Sequence, residues 1–114
     1  MAGSKTDLLQ GTLAMLILKS LAAGDLHGYS IARWIETVTK ESLAIGEGSL
    51  YPTLRRLEDK QLVKSAWKVS DTGRRVRVYS LTRAGRLHLK SEASSWLELS
   101  RAITLVLQAE PSIV

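Results

Sequence analysis

Gly48-Ser-Leu-Tyr-Pro-Thr-Leu-Arg-Arg-Leu-Glu58, followed closely by Ser70-Asp-Thr-Gly-Arg-Arg-Val-Arg-Val-Tyr-Ser-Leu-Thr82, decides how this chain reads. Leu50, Leu54 and Leu57 fall at i, i+4 and i+7, so they form the core stripe of a short helix. Ser49, Pro52, Arg55 and Arg56 take the broad opposite side, and Tyr51 lies on the flank. Pro52 removes an intrahelical bond to residue 48 and crowds that residue. Glycine at 48 and a place near the first turn limit the loss. Further on, β-branched and aromatic residues alternate imperfectly with lysines over residues 62–69. Asp71-Thr-Gly73 is a turn signal, and residues 75–81 return as a second strand. The tip and returning strand of this hairpin carry Arg74, Arg75 and Arg77. A helix with a basic hairpin beside it can grip duplex DNA, the helix in the major groove and the hairpin along the backbone.

Outward from this unit, Leu9, Leu13, Leu16, Ile17 and Leu21 are spaced as on a helix over residues 8–21. Leu8, Met15 and Leu18 add apolar surface on other sides, so this helix needs burial on more than one side. Gly24-Asp25 stops it. A second helix is expected over 28–38, burying Tyr29, Ile31, Ala32 and Ile35, with Arg33, Glu36 and Lys40 in water. Residues 41–47 form a connector with a short strand expected at 43–45. After the hairpin, Thr82 caps a final helix that runs to about Ala109, where Glu110-Pro111 ends it. The order is helix, helix, helix, strand, basic turn, strand, long helix: mainly α with a small β-hairpin, a winged helix-turn-helix over residues 5–82 with an appended C-terminal helix over 83–110.

The 114 residues suit one domain, and no run approaches the ~20 apolar residues of a membrane span. Residues 1–5 lack the apolar core of a signal peptide. With no cysteine, disulfides and thiolate metal sites are excluded, which suits the cytoplasm. The net charge of +5 is unevenly placed. Residues 55–90 hold eleven basic residues against three acidic, or +8, and the rest five against eight, or −3. That asymmetry points to a face for a polyanion rather than an evenly solvated surface.

These residues resemble the PadR family of bacterial transcriptional regulators. His27-Gly28-Tyr29 opens the second helix as in that family, and residues 48–58 look like its recognition-helix signature. Trp67, Gly73-Arg-Arg75 and Tyr79-Ser-Leu-Thr-Arg-Ala-Gly85 are similar to its wing and wing exit. The likeness covers about residues 8–90 and places the chain with the short members, because there is room for only one C-terminal helix. It implies a homodimeric winged-helix DNA binder, usually a repressor relieved by a small molecule. In it Ser49, Tyr51 and neighbours such as Thr53 and Lys60 approach the DNA, and residues 73–75 form the wing tip.

Each candidate has a plainer alternative. Arg55 and Arg56 can read a base or hold a phosphate. Tyr51 can bond a phosphate or pack beside Leu54, and Glu58 can pair with a neighbouring base of its own subunit. Arg74, Arg75 and Arg77 can contact DNA or blunt a strand edge, with Lys64 and Lys68 extending the same field. His27 and His88 lack further metal ligands close by, so a structural role is expected of His27 and no metal or other cofactor is implied. No nucleophile–base set, phosphate-cradling loop or carboxylate pair stands out, so an enzyme is not expected.

On the final helix, Leu89, Ala93, Trp96, Ser100, Ile103 and Leu107 follow heptad spacing, and ~40 Å of helix outruns one small domain. Self-association is expected through that stripe together with Leu9, Leu13 and Leu16 of the first helix. Trp96 is a dimer-core anchor or, as short relatives of the family suggest, a platform for a flat apolar effector. The function expected is therefore a regulator on a palindromic DNA site. The alternative is a winged-helix module that binds an acidic protein.

Overall fold

The computed structural model describes residues 12–111. Its elements are α1 (Leu13–Ser20), β1 (Leu26–His27), α2 (Gly28–Val38), α3 (Glu47–Asp59), β2 (Val63–Val69), β3 (Arg75–Leu81) and α4 (Arg83–Leu107). Leu8 and Leu9, expected at the start of the first helix, lie outside the described residues, and so does the expected interface role of Leu9.

α1 is the hub of the core. Leu13, Ile17 and Leu18 are buried, and the helix meets α2, α3 and α4. Ser20 shares that burial because its hydroxyl donates to the Ile17 carbonyl at 2.6 Å, leaving no orphan polar group. Ile31 and Ile35 of α2, Leu50, Leu54 and Leu57 of α3, and Val63 and Tyr79 of the sheet close the core. Burying a leucine contributes roughly 1.5–3 kcal/mol. Three of them on α3 outweigh the ~3 kcal/mol cost of an interior proline at Pro52, and the helix runs through it.

Two expectations are corrected. Tyr29 is 65% exposed, because the buried stripe of α2 is Gly28, Ile31, Ala32 and Ile35 and Tyr29 falls outside that arc. Residues 43–45 form no strand. Ile45 is buried in the core, its N–H donating to Glu36 Oε2 at 3.2 Å, and Leu43 packs half-buried against that core. The third strand comes instead from Leu26–His27, which pairs antiparallel with β3 through Leu26↔Tyr79 and His27↔Val78, giving the order β1-β3-β2.

α3 ends where Gln61 adopts a left-handed φ of 61° and the Leu62 N–H closes on the Leu57 carbonyl at 2.9 Å. This helix-ending motif aims the chain directly into β2. The β2–β3 register runs from Val63↔Leu81 to Val69↔Arg75. Strand alternation then puts Ser65, Trp67, Arg75, Arg77 and Tyr79 on one face of the hairpin, and Lys64, Ala66, Lys68, Val76 and Val78 on the other. Gly73, at φ +84°, makes the turn between the strands.

Thr82 Oγ1 accepts the Gly85 N–H at 2.9 Å, capping α4, and reaches the carbonyls of Gln61 and Leu62 at 2.8 and 3.0 Å. A Cβ at Gly85 would collide with the Leu62 carbonyl, so glycine allows the first turn of α4 to seat on the α3–β2 junction. The helix has 25 residues and ends at Leu107 rather than about Ala109. At 1.5 Å per residue it spans about 37 Å, and it stretches the molecule to 63 Å in its long dimension. The fold is mainly α with one small antiparallel sheet, a winged helix-turn-helix with an appended C-terminal helix.

Candidate nucleic-acid interface

α3 presents its polar residues on two flanks. Ser49 and Arg56 share one. Arg56 Nη2 donates to Thr53 Oγ1 at 3.1 Å, and the Thr53 hydroxyl donates to the Ser49 carbonyl at 2.7 Å. Thr53 is only 4% exposed, so its expected contact with DNA is corrected: its hydroxyl orients Arg56 from inside the fold. Pro52, Arg55 and Arg56 are exposed, as is Lys60 at the C-terminal cap of the helix.

Tyr51 occupies the other flank, 42% exposed, with its ring against α2. A Cβ on Gly28 would lie 2.7 Å from the Tyr51 hydroxyl, so this close approach explains the glycine. Tyr51 therefore packs, though against α2 rather than beside Leu54 alone, while keeping exposed area. It lines two clefts beside the hairpin, one of about 350 Å³ toward β1 and α2 and one of about 540 Å³ toward α3, which share Tyr51, Arg77 and Tyr79. The first also holds His27, Tyr29, Trp67 and Arg75, and the second Arg55, Glu58 and Asp59. His27 shares a hydrogen bond with Ser30 at 2.9 Å and stacks on Tyr29 at 6.4 Å, a local structural role. The Tyr79 phenol is held above the ordinary tyrosine pKa, chiefly by its burial.

The wing arginines are not equivalent. Arg74 sits at the exposed tip, where its N–H donates to Ser70 Oγ at 3.2 Å and its carbonyl accepts the Ser70 N–H at 2.8 Å. Arg75 and Arg77 hold their guanidinium groups over the Trp67 ring at 5.0 and 5.7 Å from its centroid. Trp67 is 57% exposed, so each contact contributes modestly, about 0.5–1 kcal/mol, but it aligns two long side chains. Arg77 also bonds Ser65 and pairs with Glu58 at 3.4 Å. That pair bears out the expected partner role of Glu58. Lys64 and Lys68 are exposed on the opposite face of the hairpin from Trp67, Arg75 and Arg77. The expected single field is therefore two-sided, with Arg74 and Gly73 at the edge between the faces.

Sequence reasoning missed Trp67 as a platform for two arginines, Tyr29 at the cleft mouth, and β1 tying His27 to the wing. The first was within reach: alternation outward from the turn at residues 71–73 sets Trp67 opposite Arg77.

At the far end, α1 and α4 border a groove of about 610 Å³ lined by Met15, Leu16, Leu89, Ala93, Trp96 and Leu97, with Lys19, Arg86 and Lys90 around it. Leu16, Leu89 and Ala93 are half-buried, whereas Trp96, Ile103 and Leu107 are exposed. Leu13 is 2% exposed inside its own domain, so its expected role at a dimer interface is corrected. No helix among the described residues is long and apolar enough to cross a membrane.

Residues 17–91 match the model of the transcriptional regulator PadR-like family, a span from α1 into α4. The chain is 36% identical over 98 residues to Transcriptional regulator Rv3488 of Mycobacterium tuberculosis, covering 85% of this chain and 87% of that protein. Among solved structures, a transcriptional regulator from Clostridium thermocellum superposes with a TM-score of 0.78 at 31% identity, covering 86% of this chain and 95% of that one. A PadR-like transcriptional regulator from Bacillus cereus superposes at 0.79 with 27% identity, covering 91% and 99%. With the family match spanning α3, the wing and the start of α4, the chain belongs to the PadR-like family of transcriptional regulators.

Proposed function

We propose that this chain is a homodimeric repressor that holds a palindromic operator in double-stranded DNA, acting in the cytoplasm and without catalytic activity of its own. The observation that carries the reading is the shared face of α3 and the wing, where Tyr51, Arg55 and Arg75 stand exposed around one pair of clefts and Arg74 stands exposed at the wing tip. Ser49, Pro52, Arg56 and Lys60 belong to the surface that enters the major groove, and Gly73, Arg74 and Arg75 to the tip that follows the backbone. Lys64 and Lys68 add long-range charge from the second face of the hairpin. Dimerisation is supported by α4, which outruns the domain with Trp96, Ile103 and Leu107 exposed along one stripe. Two copies would set their α3 helices about one DNA turn, ~34 Å, apart. A small hydrophobic effector seated against Trp96 would release the operator by favouring dimers with another spacing, since only differential affinity shifts the two states.

The test is a binding titration with the DNA upstream of the chain's own gene, across a salt series. The expected result is sequence preference at physiological salt with a steep salt slope. Binding only at very low salt, without preference, would favour the module for an acidic partner.

A further inference from the structure

Arg77 lies in the row of wing arginines that charge alone assigns to DNA, yet its guanidinium is engaged within the protein. Its Nε donates to Ser65 Oγ at 2.9 Å, and its Nη2 lies 3.4 Å from both carboxylate oxygens of Glu58. The Ser65 hydroxyl in turn donates to Glu58 Oε2 at 2.6 Å. Each of the three side chains touches both others. Glu58 belongs to the last turn of α3, Ser65 to β2 and Arg77 to β3, so the ring spans the recognition helix and both strands of the wing. Arg77 also leans on Trp67, and Arg75 stands against the same ring.

We propose that Glu58, Ser65 and Arg77 are positioning residues, a brace that fixes the wing against the recognition helix. Glu58 thereby promotes sequence-specific binding although its charge repels phosphate. The inference rests on the DNA-binding reading above. Two effects of opposite sign meet at Glu58. By Coulomb's law, removing a carboxylate near a polyanion and freeing an arginine should tighten binding to any DNA. The brace opposes this. Helix and wing bind as two linked elements, and their joint affinity depends on holding the angle at which both engage. The half-exposed pair adds little to folding stability, so its loss should leave a folded protein whose two elements are no longer aligned.

Glu58→Gln tests the sign. Fluorescence anisotropy would compare a duplex that the wild-type protein selects from a random pool with a shuffled duplex of equal composition. Failure of the wild-type protein to select any sequence would overturn the DNA-binding reading itself, separately from the brace. Given selection, Glu58→Gln should lose about fivefold in affinity for the selected duplex while holding or gaining on the shuffled one, a split that reduced stability alone does not produce. Glu58→Asp should recover part of the preference. Arg77→Ala should lower specific affinity without flattening its salt slope, whereas a phosphate contact would flatten it by about 0.9. Equal or tighter specific binding by Glu58→Gln, or a flattened slope in Arg77→Ala, would overturn the brace. If Glu58→Gln melts below the assay temperature, Ser65→Ala carries the same comparison, because it breaks both hydrogen bonds of the serine without changing charge.

Discussion

At the α3–wing end, several polar side chains find partners within the chain: Arg56 on Thr53, Ser65 and Arg77 on Glu58, Arg75 on Trp67. At the α1–α4 end, Met15, Leu16, Ala93 and Trp96 border an open apolar groove, and beyond it Ile103 and Leu107 stand in water on a bare helix. A polar, internally bonded surface is ready to meet a charged ligand without rearranging. An apolar one of this extent forgoes favourable burial until something covers it. The two ends therefore differ in what substitutions should disturb: recognition at constant assembly in one, assembly itself in the other.

Ile103→Glu should have the largest effect. It places a carboxylate on the α4 stripe at a position 48% exposed in the single chain, so the winged domain should keep its fold by circular dichroism. Light scattering should report a monomer, and affinity for a two-half-site duplex should fall at least ~100-fold, the lower end of what linked binding supplies. A variant that remains dimeric would break the comparison at its more consequential end. Next comes Arg74→Ala with Arg75→Ala. Mass should be unchanged, and stability should fall by no more than ~1 kcal/mol with the loss of the Arg75–Trp67 contact. Binding to every duplex should weaken about tenfold at physiological salt. The salt slope should flatten by about 1.8, or ~0.9 for each phosphate that an arginine no longer neutralises.

Most of the fold was legible because its elements announce themselves by period. Leu50, Leu54 and Leu57 mark α3, and the bounds of α2 and β3 follow from their own residues. What escaped was set by contacts between elements. Thr53 lies at i+3 from Leu50, on the same stripe as the leucines. The family resemblance places the whole segment near DNA, and motif position does not separate a residue facing outward from one facing the core. Tyr29 and Leu13 show the reverse error, since apolar character alone does not say which side of a helix the domain covers or how deeply. The strand Leu26–His27 has no local signal at two residues in length, and exists because the exposed edge of β3 runs beside it. In the site, the arginines were visible as charge, but the division of labour among them was not. Arg77 differs from Arg75 only by facing Glu58 and Ser65, which are distant in sequence.

A smaller effect is expected at the boundary between α2 and α3. In Gly28→Ala the new methyl would press on the outer edge of the Tyr51 ring, at 2.7 Å from its hydroxyl. The ring can swing outward, so the stability cost should stay near ~1 kcal/mol. The ring would then stand displaced in the groove-facing surface, and DNA affinity should fall about threefold with no change in mass. Unchanged affinity would show that Tyr51 serves packing alone.

The smallest effect on binding should come from the junction between the two ends. Thr82 caps α4 through Gly85 and reaches the Gln61 and Leu62 carbonyls where α3 turns into β2, so it touches both halves at once. Thr82→Ala removes the cap and should lower stability by about 1 kcal/mol, read as a fall in Tm. If the ends act independently, mass and DNA affinity should stay within about twofold, a limit below ~0.5 kcal/mol of coupling by the relation between affinity and free energy. Gly85 still lets α4 seat on the Leu62 carbonyl, which would hold the helix in place without the hydroxyl. A larger drop in affinity would mean that the cap transmits the set of α4 to the wing. The α1–α4 groove would then be linked to the DNA-facing surface through Thr82 as well as through dimer spacing.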